Sequence, residues 1–227
     1  MRITLAILTA SLGAASALRS IRLASAIDAP PALSRRALLP ALLAAAAVRP
    51  SPALAADALE QHTTGSYKVT FGAPTGWPVT EQELQGSRYL YIATDPAEPD
   101  SANVVLTFQP LGADYTSLGS FGTQQLVGNS LMPQCADASG GGCTLETDGI
   151  EGKMIGQSVV KGAYAYDYTI EQTGQKPRHL RTLFAVQTEE GRGRRLVTLT
   201  AQCYESKYAE LKPLFEKVLE SYSTSLK

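Results

Sequence analysis

The chain has 227 residues, 44% of them hydrophobic, with 20 basic and 21 acidic groups and a formal net charge of −1. With the arginine-rich first 55 residues set aside the balance turns acidic, which argues against general nucleic-acid or anionic-lipid binding, since both need an electropositive surface. No apolar run reaches the roughly 20 residues that a bilayer-spanning helix needs.

From the start, Met1 to Ala17 reads as a secretory signal: Arg2, an apolar stretch from Ile3 to Leu12, then Ala15-Ser16-Ala17. Leu18 to Leu33 follows with Arg19, Arg22, Ser20, Ser25 and a single acid, Asp28, which is transit-peptide chemistry. Ser34-Arg35-Arg36 then heads a short apolar run from Ala37 to Val48, broken by Pro40 and closed by Ala53-Leu54-Ala55. A paired arginine before a short apolar run and a small-x-small site is a twin-arginine export address, with cleavage expected before Ala56. Two signals in series imply passage through several membranes, with the thylakoid lumen the simplest destination and a plastid with additional envelope membranes suiting the leading signal. One long bacterial-style signal is the alternative. The expected layout is a targeting region at 1–55, a short linker at 56–66 and one domain at 67–227. Six arginines and one acid lie before residue 56, so the remaining chain has 14 basic and 20 acidic groups and a net charge of −6. At that length one domain buries about 70% of its unfolded surface and requires neither metal nor disulfide for stability.

Tyr67 to Phe71 alternates apolar and polar residues at period two and stops in the turn-rich Gly72-Ala73-Pro74-Thr75-Gly76-Trp77-Pro78. Further strands are expected at 88–94, 103–109, 154–160, 163–172, 179–188 and 195–202, the last three joined by loops short enough for antiparallel hairpins. Ser120 to Leu131 is expected to be a helix with Ser120 as N-cap, interrupted in propensity by Gly122 and Gly128. Tyr208, Leu211, Phe215, Val218, Leu219 and Tyr222 share one helical stripe, and Pro213 places the main helix start, or a kink, near itself. Helices packed on an antiparallel sheet make an α+β sandwich.

Cys135 and Cys143 flank a flexible Gly-rich stretch that lets them meet, and export permits a disulfide, with two redox-active thiols as the alternative. Cys203 is expected to be a shielded thiol. There is no paired C-x-x-C, and His62 and His179 are the only histidines, so no zinc motif is present. Gly140-Gly141-Gly142 lacks the Lys-Ser/Thr and helix start of a phosphate loop. Glu81, Glu83 and the acidic loop Asp95 to Asp100 offer carboxylates to a hard cation, but the prolines stiffen the loop without supplying Ca²⁺-site spacing, and it reads as a solvated turn. Tyr164, Tyr166 and Tyr168 alternate on one strand face, as sheet packing requires.

The runs Tyr67 to Trp77, Tyr164-Ala165-Tyr166-Asp167-Tyr168, Arg178-His179-Leu180 and Leu196 to Gln202, with the closing amphipathic helix to Tyr222, resemble the PsbP-domain family of the thylakoid lumen. The resemblance covers almost all of Tyr67 to Lys227. It implies a central antiparallel sheet with helices on both faces, no catalytic activity in most members, and work as an extrinsic subunit or assembly factor of a photosystem. Members serving the oxygen-evolving complex of photosystem II help retain calcium and chloride near the manganese cluster. The ions would thus sit at the partner complex, and no intrinsic cofactor is implied.

Against that family pattern, His179 opens the penultimate strand and Glu205 follows the last one. Such a pair would lock the strand end to the helix entrance, with His179 poised to titrate as lumenal pH falls; an exposed histidine at a hairpin base with no partner is the alternative. Where the family often has a tryptophan after the last strand, the nearest aromatic here is Tyr208. The hairpin from Gln187 to Arg195 is longer than in the photosystem II subunit. Lys176, Arg178, Arg181, Arg192, Arg194 and Arg195 are expected to give the acidic domain a local positive end for docking on an acidic complex, with ordinary solvated hairpin charge as the alternative. The sequence therefore points to a non-catalytic, lumen-facing, photosystem-binding protein. A small-ligand or metal carrier, or an enzyme working through His179, are the competing classes.

Overall fold

The computed structural model describes residues 58–65, 67–135, 142–189 and 193–224. The targeting segments, the cleavage site before Ala56, Arg192 and glycines 140 and 141 lie outside the described residues. In chain order the elements are β1 (Leu59–Thr63), β2 (Val69–Pro74), β3 (Val79–Leu84), β4 (Arg88–Thr94) and β5 (Ala102–Pro110). Next come α1 (Gln124–Leu131), α2 (Leu145–Asp148), β6 (Ile150–Val160), β7 (Ala163–Gln172), β8 (Arg178–Glu189), β9 (Gly193–Tyr204), α3 (Glu205–Ser221) and β10 (Ser223–Thr224). A single 3-10 turn, Leu118–Phe121, precedes α1.

Seven strands form one antiparallel sheet in the order β3-β4-β5-β9-β8-β7-β6, and β1, β2 and β10 form a second, smaller one. The long strands form where period-two alternation is cleanest: in β5 the residues Ala102, Val104, Leu106 and Phe108 are all buried. The same face carries Val197, Leu199, Ala201 and Cys203 of β9 and Leu183 and Ala185 of β8. Against it pack Val69 and Phe71 of β2 and Phe215, Val218 and Leu219 of α3, making the main core. On the opposite face, Tyr166, Tyr168, Phe184 and Leu196 meet Val127 and Leu131 of α1 in a smaller core. Among the described residues the second face is thus covered chiefly by one eight-residue helix and a 3-10 turn, and the molecule is more sheet-dominated than an even helix-flanked sandwich.

Three local expectations need correction. Residues 59–63, expected in a linker, form β1, paired with β2 from Leu59↔Pro74 to Thr63↔Thr70. This edge strand is held by backbone hydrogen bonds on one side, so its exposed sequence Leu-Glu-Gln-His-Thr shows no clear alternation. The expected helix over 120–131 is split, because Gly122 sits at φ 108. Ser120 lies inside the 3-10 turn, its hydroxyl accepting from the Ser117 amide, and Thr123 is the N-cap of α1, its hydroxyl accepting from the Leu126 amide at 3.3 Å.

Helix α3 starts at Glu205, eight residues before Pro213, and runs through it. Proline deprives the Ala209 carbonyl of its donor, but both residues are exposed, so water can replace that bond. At its far end the Lys161 ammonium donates to the carbonyls of Glu220 at 2.5 Å and Tyr222 at 3.2 Å, capping the helix from the β6–β7 turn.

Candidate functional site

Odd-numbered residues of β7 and β8 face α3. That alternation puts Asp167 beside Ala163 and Ala165, and His179 and Arg181 beside Leu183, on the inner face. Asp167 is directly opposite Arg181, and His179 is its diagonal neighbour. From α3, Glu205 and Tyr208 stand three residues apart on one helix face and reach the same spot.

The result is a dense polar cluster around one imidazole. His179 is only 2% exposed. Its Nδ1 lies 2.6 Å from Glu205 Oε2 and its Nε2 lies 2.5 Å from Asp167 Oδ1. The Tyr208 ring stacks on the imidazole, centroids 3.2 Å apart and planes 10° from parallel, and its hydroxyl donates to Asp167 Oδ2 at 2.9 Å. Arg181 lies 3.8 Å from Asp167 and donates to Glu216 at 2.8 Å. Each contact pairs a ring nitrogen with a carboxylate oxygen, and the tautomer of the imidazole decides which side donates.

Burial alone would raise the Asp167 carboxyl, but hydrogen bonds from His179 and Tyr208 and the charges of His179 and Arg181 outweigh it and hold it below the ordinary range. The Tyr208 phenol is pushed up by burial and by its bond to Asp167. Both imidazole nitrogens are occupied and shielded, so the group is built to tie β7 and β8 to the start of α3.

The structure brings His179 and Glu205 together, and it adds Asp167, Tyr208 and Glu216, to which the sequence had assigned no part in this cluster. Strand alternation carried the signal for Asp167, an acid at an inward position between small residues, but the tyrosines on the other face were the more conspicuous pattern. Those tyrosines pack there: Tyr166 meets Phe184 edge-on, and Tyr168, Thr182 and Thr200 form a chain of hydroxyl contacts.

Of the six basic residues expected at one positive end, the five that are described, Lys176, Arg178, Arg181, Arg194 and Arg195, are not brought together. The β7–β8 and β8–β9 turns lie at opposite ends of β8, whose nine-residue separation from Arg178 to Gln187, the partner of Arg195, spans about 30 Å. At the first end, Lys176 and Arg178 stack on Tyr204 at 4.8 and 4.9 Å, Arg178 donates to the Asp100 carbonyl, and Arg181 belongs to the histidine cluster. At the other, Arg194 donates to the Ala113 carbonyl, and Arg195 donates to the Ser87 carbonyl and lies over Tyr67. Arg88, which the sequence did not single out, joins this second end with its Nε on the Gln85 carbonyl.

Elsewhere, Cys135 and Cys143 are joined as a disulfide with Cα atoms 5.4 Å apart. Cys203 is a buried free thiol that burial, then the Glu205 charge, pushes up to about 12. Glu81 and Glu83 lie on β3, accepting from the hydroxyls of Tyr91 and Tyr89. In the acidic loop Glu98 pairs with Lys207 at 2.5 Å and Asp95 accepts from the Ala97 amide. No helix among the described residues is long and apolar enough to cross a membrane.

The family model of PsbP matches residues 58–224. PsbP domain-containing protein 3, chloroplastic, of Arabidopsis thaliana is 28% identical over 168 residues, which cover 74% of this chain and 65% of that protein. The chain thus spans about two thirds of its relative's length. The solution structure of cyanobacterial PsbP (CyanoP) from Synechocystis sp. PCC 6803 has the same fold, with a TM-score of 0.51 at 22% identity over 74% of this chain and 93% of that one. Since one family model accounts for every strand and helix from β1 to β10, the chain belongs to the PsbP family.

Proposed function

We propose that this PsbP-domain protein works in the chloroplast thylakoid lumen, where it binds a photosystem complex and supports its assembly or stability without catalysing a reaction. The oxygen-evolving side of photosystem II is the favoured partner. The observation that carries this reading is the PsbP match over residues 58–224, downstream of a prefix with the chemistry of an export signal. The chloroplastic Arabidopsis relative supports the compartment. The cluster geometry supports binding over catalysis, because His179 is shielded and both ring nitrogens are engaged, which leaves no free nitrogen to act as a base. Calcium and chloride, in this reading, belong to the partner complex.

Docking falls to the end of the sheet that carries Arg88, Arg194 and Arg195, whose side-chain hydrogen bonds among the described residues go to backbone carbonyls. Those guanidinium groups keep their charge for an acidic partner. The test is fractionation of tagged protein followed by native-gel separation of thylakoid complexes. Lumenal recovery and co-migration with a photosystem complex are expected; recovery outside the thylakoid, or migration always as the free protein, overturns the reading.

A further inference from the structure

A second cluster lies far from His179 in the chain. It joins the segment after α1 to α2. The sulfur atoms of Cys135 and Cys143 and a carboxylate oxygen of Asp148 all lie within 4.8 Å of one another. Asp148 is held by its neighbours: its Oδ2 accepts from the Thr144 amide at 2.8 Å and from the Thr147 hydroxyl at 2.9 Å. No lysine or arginine pairs with it among the described residues, and its Oδ1 accepts no hydrogen bond there. Orientation of one oxygen by hydrogen bonds while the other stays open is how proteins prepare a carboxylate to ligate a metal. Cys143 is buried, Cys135 half-buried and Asp148 exposed, so the group is anchored on one side and open to solvent on the other.

We propose that this triad is a redox-gated zinc site. In the oxidised chain the two sulfurs are bonded to each other and bind no ion. A dithiol reductant supplies two electrons and two protons: the sulfur–sulfur bond breaks, two thiols form, and the dithiol closes to its own disulfide. Zinc then displaces both thiol protons to solvent, and two thiolates and the Asp148 carboxylate hold it, with water in the fourth position. Two sulfur donors select a borderline-soft ion over calcium or magnesium, which take oxygen ligands. Zinc would replace the covalent link between the same two segments. The site is independent of the photosystem reading and survives its failure.

The experiment titrates the mature chain with Zn²⁺, and with Co²⁺ as its spectroscopic stand-in, before and after reduction by dithiothreitol and removal of the reductant under anaerobic conditions. One ion per reduced chain is expected, with intense thiolate-to-cobalt absorption, and none per oxidised chain. Asp148→Asn should weaken binding at least tenfold, and Cys135→Ser/Cys143→Ser should abolish it. Cys203→Ala should change nothing, which separates the site from adventitious thiol binding, and circular dichroism confirms that each reduced variant is folded. Equal binding by the oxidised chain, no binding after reduction, or affinity unaltered in Asp148→Asn each overturns the proposal.

Discussion

Removing the imidazole of His179 deprives Asp167 and Glu205 of their shared hydrogen-bond partner and leaves a hole under the Tyr208 ring. Breaking a buried pair costs about 3–5 kcal/mol, and partial exposure of the two acids brings the expectation for His179→Ala to about 2–4 kcal/mol. Denaturant unfolding measures it. Glu205→Gln should cost less, about 1 kcal/mol or below, since Glu205 is exposed. Asp167 sets the acid limb: its carboxyl is held below the ordinary 3.8, so its stabilising contribution is complete above that value and is lost as pH falls through the lowered one. Stability of the wild type should therefore fall more steeply below pH 4 than that of Asp167→Asn, and parallel acid limbs would exclude this role. The family resemblance implied His179 and Glu205 as a candidate pair, beside the alternative of a histidine with no partner. The rest of the cluster was less legible. Tyr208 and Asp167 meet across 41 residues, and only the docking of α3 on β7 and β8 brings them together.

Helix α1 shows how packing overrides propensity. Gly128 lies mid-helix, where alanine would normally be favoured by about 1 kcal/mol. Here an added methyl would come within 2.9 Å of Tyr166, whose ring is 1% exposed and hemmed in by Phe184. Overpacking costs about 1–3 kcal/mol, so Gly128→Ala is expected to lower the melting temperature even though it improves the helix former. A rise in melting temperature would show that the ring can yield. Strands β5, β7, β8 and β9 were readable because each buries residues in alternation along much of its length, which fixed them within a few residues. Strands β1 and β3, exposed at most positions, left no such pattern. The helix before Gly122 was misread for a backbone reason: glycine at positive φ turns the chain, and Thr123 supplies a fresh cap.

Charge placement belongs to the whole molecule, since only topology decides which loops share an end. Lys176, Arg178, Arg194 and Arg195 are within twenty residues of one another in the chain, yet β8 holds the two groups about 30 Å apart, beyond the roughly 8 Å screening length at physiological ionic strength. A docking partner thus meets one end or the other. Reversing Arg88 and Arg194 to Glu should weaken association with thylakoid complexes, while Arg195 is kept because it packs over Tyr67. Reversing Lys176 alone at the opposite end should have little effect. Both altered proteins should unfold close to the wild type, because the changes fall on turns and strand ends away from the core. Wild-type association should weaken with added salt, and the double reversal should flatten that dependence as well as lower affinity, since the steering charge is gone. If the Lys176 reversal disrupts co-migration and the Arg88/Arg194 reversal does not, the partner sits on the β7–β8 turn end beside Tyr204, and the assignment of the docking surface is inverted.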